Sequence, residues 1–289
     1  MKKNIARVLF VSAAFLLSLF FINSCKKDRP DTDTQASVDN SLCEGEFSRL
    51  LPQTSSIAVN DSGVNKYGLD IPVPNSACPD YWIDTNDVLD GFPVTLWTYY
   101  GSDNDGDSIF ETACTGPDGK VRQGIVQAVF DGPWHKPGTT VTMYLKNYFV
   151  NGTQFEGTVS IVRSLTSFSQ TVSGGKCTSA YGTSNPWTIT WNSSRTITMM
   201  IGDTLSPFDD VCLISGSASG TDRNNKAFSV DIDAGNPLRR EMGCRWITKG
   251  QQTIKIDGKK DRTVDYGDGT CDNKAKLIID GNEFEFSME

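Results

Sequence analysis

The chain has 289 residues, of which 38% are hydrophobic and 21% charged. That is enough apolar material for a packed domain and argues against global disorder. The formal charge is -8 and no basic patch interrupts it, which argues against nucleic acid as a partner. Glycine is abundant at 26 residues, and with Ser, Thr, Asn and Asp it favours many turns between short strands.

The first residues carry an address. Lys2, Lys3 and Arg7 precede an uncharged run from Val8 to Ile22, which fits a secretory leader and is short for a membrane span. Ile22-Asn23-Ser24-Cys25 follows and resembles a bacterial lipobox, in which the cysteine is acylated and becomes the new N-terminus. Asn23 departs from the small, less polar residue usual at that place. Residues 1–24 therefore read as a lipoprotein signal peptide. Residues 25–42 read as a lipidated cysteine and a flexible tether, rich in Asp, Thr and Ser. Several buried acyl chains give stable attachment to a bilayer. Lys27 to Thr34, KDRPDTDT, is similar to the surface-export signals of Bacteroidota-type lipoproteins, which points to the outer membrane and the cell surface.

Residues 43–289 are expected to form one β-rich domain. From Cys43 to about Asp90 the punctuation is irregular, although residues 41–51, SLCEGEFSRLL, allow one short helix. Strand patterns then follow in order. Phe92 to Tyr99 comes first, then Arg122 to Phe130. Val141 to Val162 is a hairpin about Asn151-Gly152, whose residues suit a type I′ turn. A simple two-residue turn there pairs Tyr148 with Phe155, Tyr144 with Val159 and Thr142 with Ile161. Pro186 to Trp191 and Arg195 to Met200 read as another hairpin turning at 192–194. Val211 to Gly220 and Lys226 to Ile232 give two more strands, and Gln251 to Ile256 and Arg262 to Tyr266 flank Asp257-Gly258. A final hairpin pairs Leu277 with Phe284 and Lys276 with Glu285. These elements define an all-β fold: an antiparallel meander of short strands forming a sandwich, roll or flattened barrel.

Two blocks, CTGPDGKVRQG…NYFVNGTQFEGTVSIV from Cys114 to Val162 and GCRWITKG…DYGDGTCDNKAKLIIDGNEFEF within Gly243 to Met288, resemble a group of uncharacterised Bacteroidota-type secreted lipoproteins. The resemblance implies a secreted, lipid-anchored β-protein. It brings no activity and no catalytic residues.

Of the eight cysteines, lipidation of Cys25 leaves an odd number. Export permits disulfides. Cys244–Cys271, both in the final block, is the leading pair, followed by Cys177–Cys212 and Cys78–Cys114. No C-x-x-C spacing supports zinc. Asp103, Asp105 and Asp107 form the densest acidic turn and are the candidate calcium ligands, although the EF-hand register fails. Asp265, Asp268 and Asp272 read as a hairpin turn. The single histidine, His135, lies in a turn and lacks the G-x-S-x-G context of a triad. Among six tryptophans, Trp97 and Trp246 sit in apolar strand contexts and are expected in the core. Trp134 and Trp187 follow prolines and are the candidates for glycan contact. Ser108 and Thr204 match a D-[ST]-apolar pattern for O-glycosylation. The expectation is an outer-membrane lipoprotein acting as a non-catalytic binding or structural envelope component, with glycan or an envelope protein as its partner. The alternatives are a surface glycan-binding protein or glycoside hydrolase, and an adhesion or fimbrial subunit.

Overall fold

A computed structural model describes residues 31–58, 78–84, 91–106, 110–116, 118–179, 182–200, 210–241 and 243–288. Residues 32–289 group as one compact unit. Its described residues form one helix, α1 (Gln35–Ala58), and fifteen strands: β1 (Asp80–Ile83), β2 (Val94–Tyr100), β3 (Cys114–Thr115), β4 (Val121–Phe130), β5 (Thr140–Val150), β6 (Thr153–Arg163), β7 (Ser167–Thr178), β8 (Thr188–Met200), β9 (Val211–Thr221), β10 (Ala227–Ile232), β11 (Leu238–Glu241), β12 (Ile247–Ile256), β13 (Arg262–Asp268), β14 (Lys274–Ile279) and β15 (Asn282–Ser287). Nearly all neighbours in sequence are neighbours in the sheet. The order is β1-β2-β4-β5-β6-β7-β8-β9-β10-β12-β13-β14-β15, with β3 beside β4 and β11 bridging β9 and β12. The expected antiparallel meander is thus what the chain forms.

The sheet is rolled around α1. Side chains from β2 (Tyr100), β4 (Arg122), β5 (Tyr148), β7 (Gln170), β8 (Trp191, Arg195), β11 (Arg240), β12 (Gln252) and β13 (Tyr266) all bond to the helix. Such curvature needs local breaks in the ladder. Register shifts occur at 123/125 on β4, 156/158 on β6, 172/175 on β7 and 249/251 on β12, and bulges bend and twist a strand in this way. Gly124 shows why one of these must be glycine. Its φ is +99°, and a Cβ there would stand 1.9 Å from the Asn147 carbonyl oxygen.

The bulge opposite Gly124 also corrects the central hairpin. Tyr148 pairs with Phe155 as expected, but Asn147 takes φ 45° and the register then slips by one, giving Tyr144–Thr158, Met143–Val159 and Val141–Ile161. Since alternate side chains face opposite sides, a one-residue slip reverses faces. Met143 and Val141 enter the core, and Tyr144 is 43% exposed on the outside. The turn expected at 192–194 does not form, because β8 runs unbroken from Thr188 to Met200 against β7 and β9. The Leu277–Phe284 and Lys276–Glu285 pairs are present.

Helix α1 begins at Gln35, so residues 35–42, expected within the flexible tether, are helical, and so is the start of the segment expected to be irregular. Its apolar side chains, Phe47, Leu50 and Leu51 among them, meet the sheet. Phe47 stacks on Trp191 at 5.3 Å between ring centroids. Yet Asp39, Asn40, Glu44 and Glu46 are just as buried. Buried charges and amides must find partners, and these do. Asp39 accepts from Arg223, and Glu44 accepts from Arg195 at 3.2 Å. Trp191 Nε1 donates to Asn40, whose amide donates to Gln252, whose amide donates to the Tyr266 hydroxyl. Pro52, inside the helix, gives up one backbone bond.

Candidate functional site

Among the described residues, buried charge gathers at the seam between α1 and the sheet, and a groove on the outer face of β1, β2 and β4 joins carboxylates to an open aromatic ring, whereas a larger depression of about 820 Å³ over β7–β10 and β12 is lined mostly by Ser, Thr and Asn without an aromatic.

At the seam, Glu46 accepts from Tyr148 Oη at 2.7 Å and from Arg122 Nε at 3.1 Å, with Lys120 Nζ 3.6 Å away. Arg122 also forks onto Asp118 with two 2.7 Å bonds, the bidentate geometry that makes Arg–carboxylate pairs strong. Burial alone would raise the Glu46 pKa. The Arg122 and Lys120 charges outweigh it and hold the carboxyl at about 2. Asp118 likewise stays well below the usual carboxylate range: burial raises it, but the Arg122 bonds dominate. Arg49 reaches the carbonyls of Cys244 and Arg245. Arg240 is fully buried and donates to the Gly45 carbonyl at 3.2 Å, while its Nε and Nη2 meet no acceptor among the described residues. Desolvation, then repulsion from Arg49, brings its pKa down to about 10. Glu46, Lys120, Arg122 and Arg240 are buried and Asp118 is partly so, which makes the seam a structural device.

The groove is the accessible candidate. β1 and β2 pair in register, placing Trp82 opposite Trp97 and Asp80 opposite Tyr99. The next strand, β4, sets Gln127 beside Trp97 and Ile125 beside Tyr99. All of these but Gln127, with Gly101, Ser102, Asp103 and Phe110, line a depression of about 580 Å³. Trp82 is 50% exposed. Tyr99 and Phe110 lie nearly parallel at 6.5 Å, and Lys146 Nζ covers Trp97 at 4.4 Å from the ring centroid. Trp82 is therefore the open aromatic face, and the Asp80 and Asp103 carboxylates stand at the rim. The Cys78–Cys114 disulfide ties the chain just before β1 to β3, which pairs with β4.

The sequence candidates fall differently from expectation. Trp134 is 2% exposed, edge-on to Phe130 and stacked on Phe168 at 5.3 Å. A glycan cannot reach it; the turn after Pro133 folds the ring inward. Trp187 is partly buried, with the Arg223 guanidinium 4.4 Å over its ring. Trp97, expected in the core, is half-buried on the outer face, and Trp246 packs against the core edge. His135 is exposed. Asp103, Asp105 and Glu111 bring carboxylate oxygens within 4.8 Å of one another. Two of these carboxylates already accept backbone bonds, Asp103 from Gly106 and Glu111 from Asn104. Of the proposed ligands, Asp107 lies outside the described residues, as do Cys25, Ser108 and Thr204. Cys244–Cys271 and Cys78–Cys114 are disulfides. Cys177–Cys212 is not a pair. Cys177 is opposite Ile189 and Cys212 opposite Met199 on the intervening β8, a distance of roughly 33 Å along a strand rising about 3.3 Å per residue. Cys212 Sγ instead contacts Met199 Sδ at 3.1 Å. Trp82, one of the six tryptophans, carries little exposure signal because its strand is short and stands among prolines and loop residues; the D-Y-W-I alternation is the available one.

No family model, curated protein or solved structure matches this chain.

Proposed function

We propose that this chain is a lipid-anchored outer-membrane protein, acylated at Cys25 and facing outward, that binds a neutral glycan in the Trp82 groove without cleaving it. One observation carries the ligand: a half-exposed indole, backed by Trp97 and Tyr99 on paired strands, with carboxylates at its rim. A flat aromatic face buries the apolar face of a sugar ring, and carboxylates accept its hydroxyls. Asp80 and Asp103 also repel anionic sugars, which favours neutral ones. The anchor rests on the leader and lipobox, and helix α1 begins at Gln35, which leaves only a short segment between lipid and helix.

Two experiments test the halves separately. Fractionation and protease shaving of intact cells should find wild type membrane-bound and cleaved, and Cys25→Ala soluble. A mutant that stays in the membrane overturns the acylation, and a protected wild type overturns the outward orientation. A glycan array probed with the purified full chain should retain neutral glycans. An array on which only charged glycans, or none, are retained overturns the groove's assignment.

A further inference from the structure

The seam holds one reactive pair that the fold has brought together from distant sequence. Cys43, in the middle of α1, and Cys177, on β7, are fully buried, and their sulfurs lie 3.2 Å apart. That is about 1.2 Å longer than a disulfide bond. Both are held on regular elements: Cys177 between Phe155 on β6 and Ile189 on β8, Cys43 one position before the Glu44–Arg195 pair.

We propose that Cys43 and Cys177 form a third disulfide, which fastens the central helix to the sheet that surrounds it. The chain already carries two disulfides, so it matures where thiols are oxidised. The bond closes by thiol–disulfide exchange with a small-molecule or protein disulfide. With oxidised glutathione, the Cys177 thiolate attacks one sulfur and expels a glutathione thiolate. The Cys43 thiolate then attacks the Cys177 sulfur of the mixed disulfide and expels the second. Two protein thiols become one disulfide, and the two protons and two electrons leave as two molecules of reduced glutathione.

The position sets when this happens. Exchange needs a thiolate and access, and the folded interior denies both: burial, then the neighbouring Cys177 sulfur, pushes the Cys43 thiol well above its ordinary pKa. The bond therefore closes while the sheet is still wrapping the helix, and once closed it is shielded from reductants. It also has a mechanical role that rests on the lipid-anchor reading. α1 is the first described element after the tether, so any pull on the anchor reaches the helix first, and the Cys43–Cys177 bond passes it to the middle of the sheet.

The test uses the full chain carrying Cys25→Ser, reduced and unfolded, then refolded in a glutathione buffer. Folded monomer is alkylated in denaturant and digested without reductant. The Cys43 and Cys177 peptides should be recovered linked and should separate on reduction, in the same molecules that hold Cys78–Cys114 and Cys244–Cys271. Recovery of both as alkylated peptides in those molecules overturns the proposal. As a second readout, Cys43→Ser and Cys177→Ser should each lower the denaturation midpoint of oxidised protein, and the double variant should lower it no further. Additive losses contradict a shared bond. Neither result depends on the acylation of Cys25 or on the groove.

Discussion

Arg122 Nε and the Glu46 carboxylate meet at 3.1 Å with both side chains about 1% exposed, joining the sheet's β4 to the helix it encloses. The pair is one link in a seam where buried charge pairs, beside the apolar contacts of Phe47, Leu50 and Leu51, tie α1 to the roll. Breaking such a pair from one side leaves the other charge buried without compensation, at a cost of about 3–5 kcal/mol. Glu46→Gln should lower stability by that amount, measured by urea denaturation. A loss under about 1 kcal/mol would show that Asp118 alone satisfies Arg122.

The same carboxylate predicts the acid response. Its pKa falls from 4.5 to about 2 on folding, so the unfolded chain binds the extra proton and the native state gains stability above pH 4.5. That gain, on the order of 3 kcal/mol, is lost as pH falls through 4.5 toward 2. Asp118 shifts in the same direction and steepens the loss. Unfolding free energy measured between pH 6 and pH 2.5 should fall with this shape in wild type, and more shallowly in Glu46→Gln.

Arg240 makes the opposite prediction. It is enclosed with one acceptor and two nitrogens that meet none among the described residues, near Arg49 and Lys120, whose charges repel its own, while Glu44 and Glu46 offset them only in part. Replacing such a group by an apolar side chain of similar length removes a desolvation cost. Arg240→Met should be within about 1 kcal/mol of wild type or more stable. A loss of about 3 kcal/mol or more would mean that the guanidinium is fully compensated.

Gly124 carries the bend between β4 and β5. Any side chain there needs a φ of +99° and collides with the Asn147 carbonyl. Gly124→Ala should cost about 3 kcal/mol or more, a value reserved for strained or overpacked sites, and should raise susceptibility to proteolysis. A variant with wild-type stability would show that β5 slides to a bulge-free register.

Much of the fold was legible because strand alternation and turn residues are local signals. The terminal hairpin, with Asp280-Gly281 at its turn, paired as read. The central hairpin did so only near its turn, at Tyr148–Phe155, since one extra residue at Asn147 reversed Tyr144 and Met143, and a bulge leaves little trace in alternation. Helix α1 was legible only in part, as a short helix over residues 41–51 rather than the full Gln35–Ala58. It is enclosed on all sides, so it needs no apolar stripe, and its buried Asp39, Glu44 and Glu46 read as solvent-facing until their partners on β4, β8 and the β9–β10 turn are known. Exposure of the tryptophans follows strand pairing and not a preceding proline. A preceding proline suggested exposure for Trp134 and Trp187, whereas the open ring is Trp82, placed outward by the pairing of β1 with β2.

The most direct test of the account is the affinity of the purified full chain and of Trp82→Ala for a neutral oligosaccharide retained on the array, measured side by side by calorimetry. Loss of the stacking face should weaken binding about tenfold or more, roughly 1.4 kcal/mol, with unchanged thermal stability, because Trp82 is half exposed at a sheet edge. Equal affinity for the two proteins would contradict the groove as the binding site.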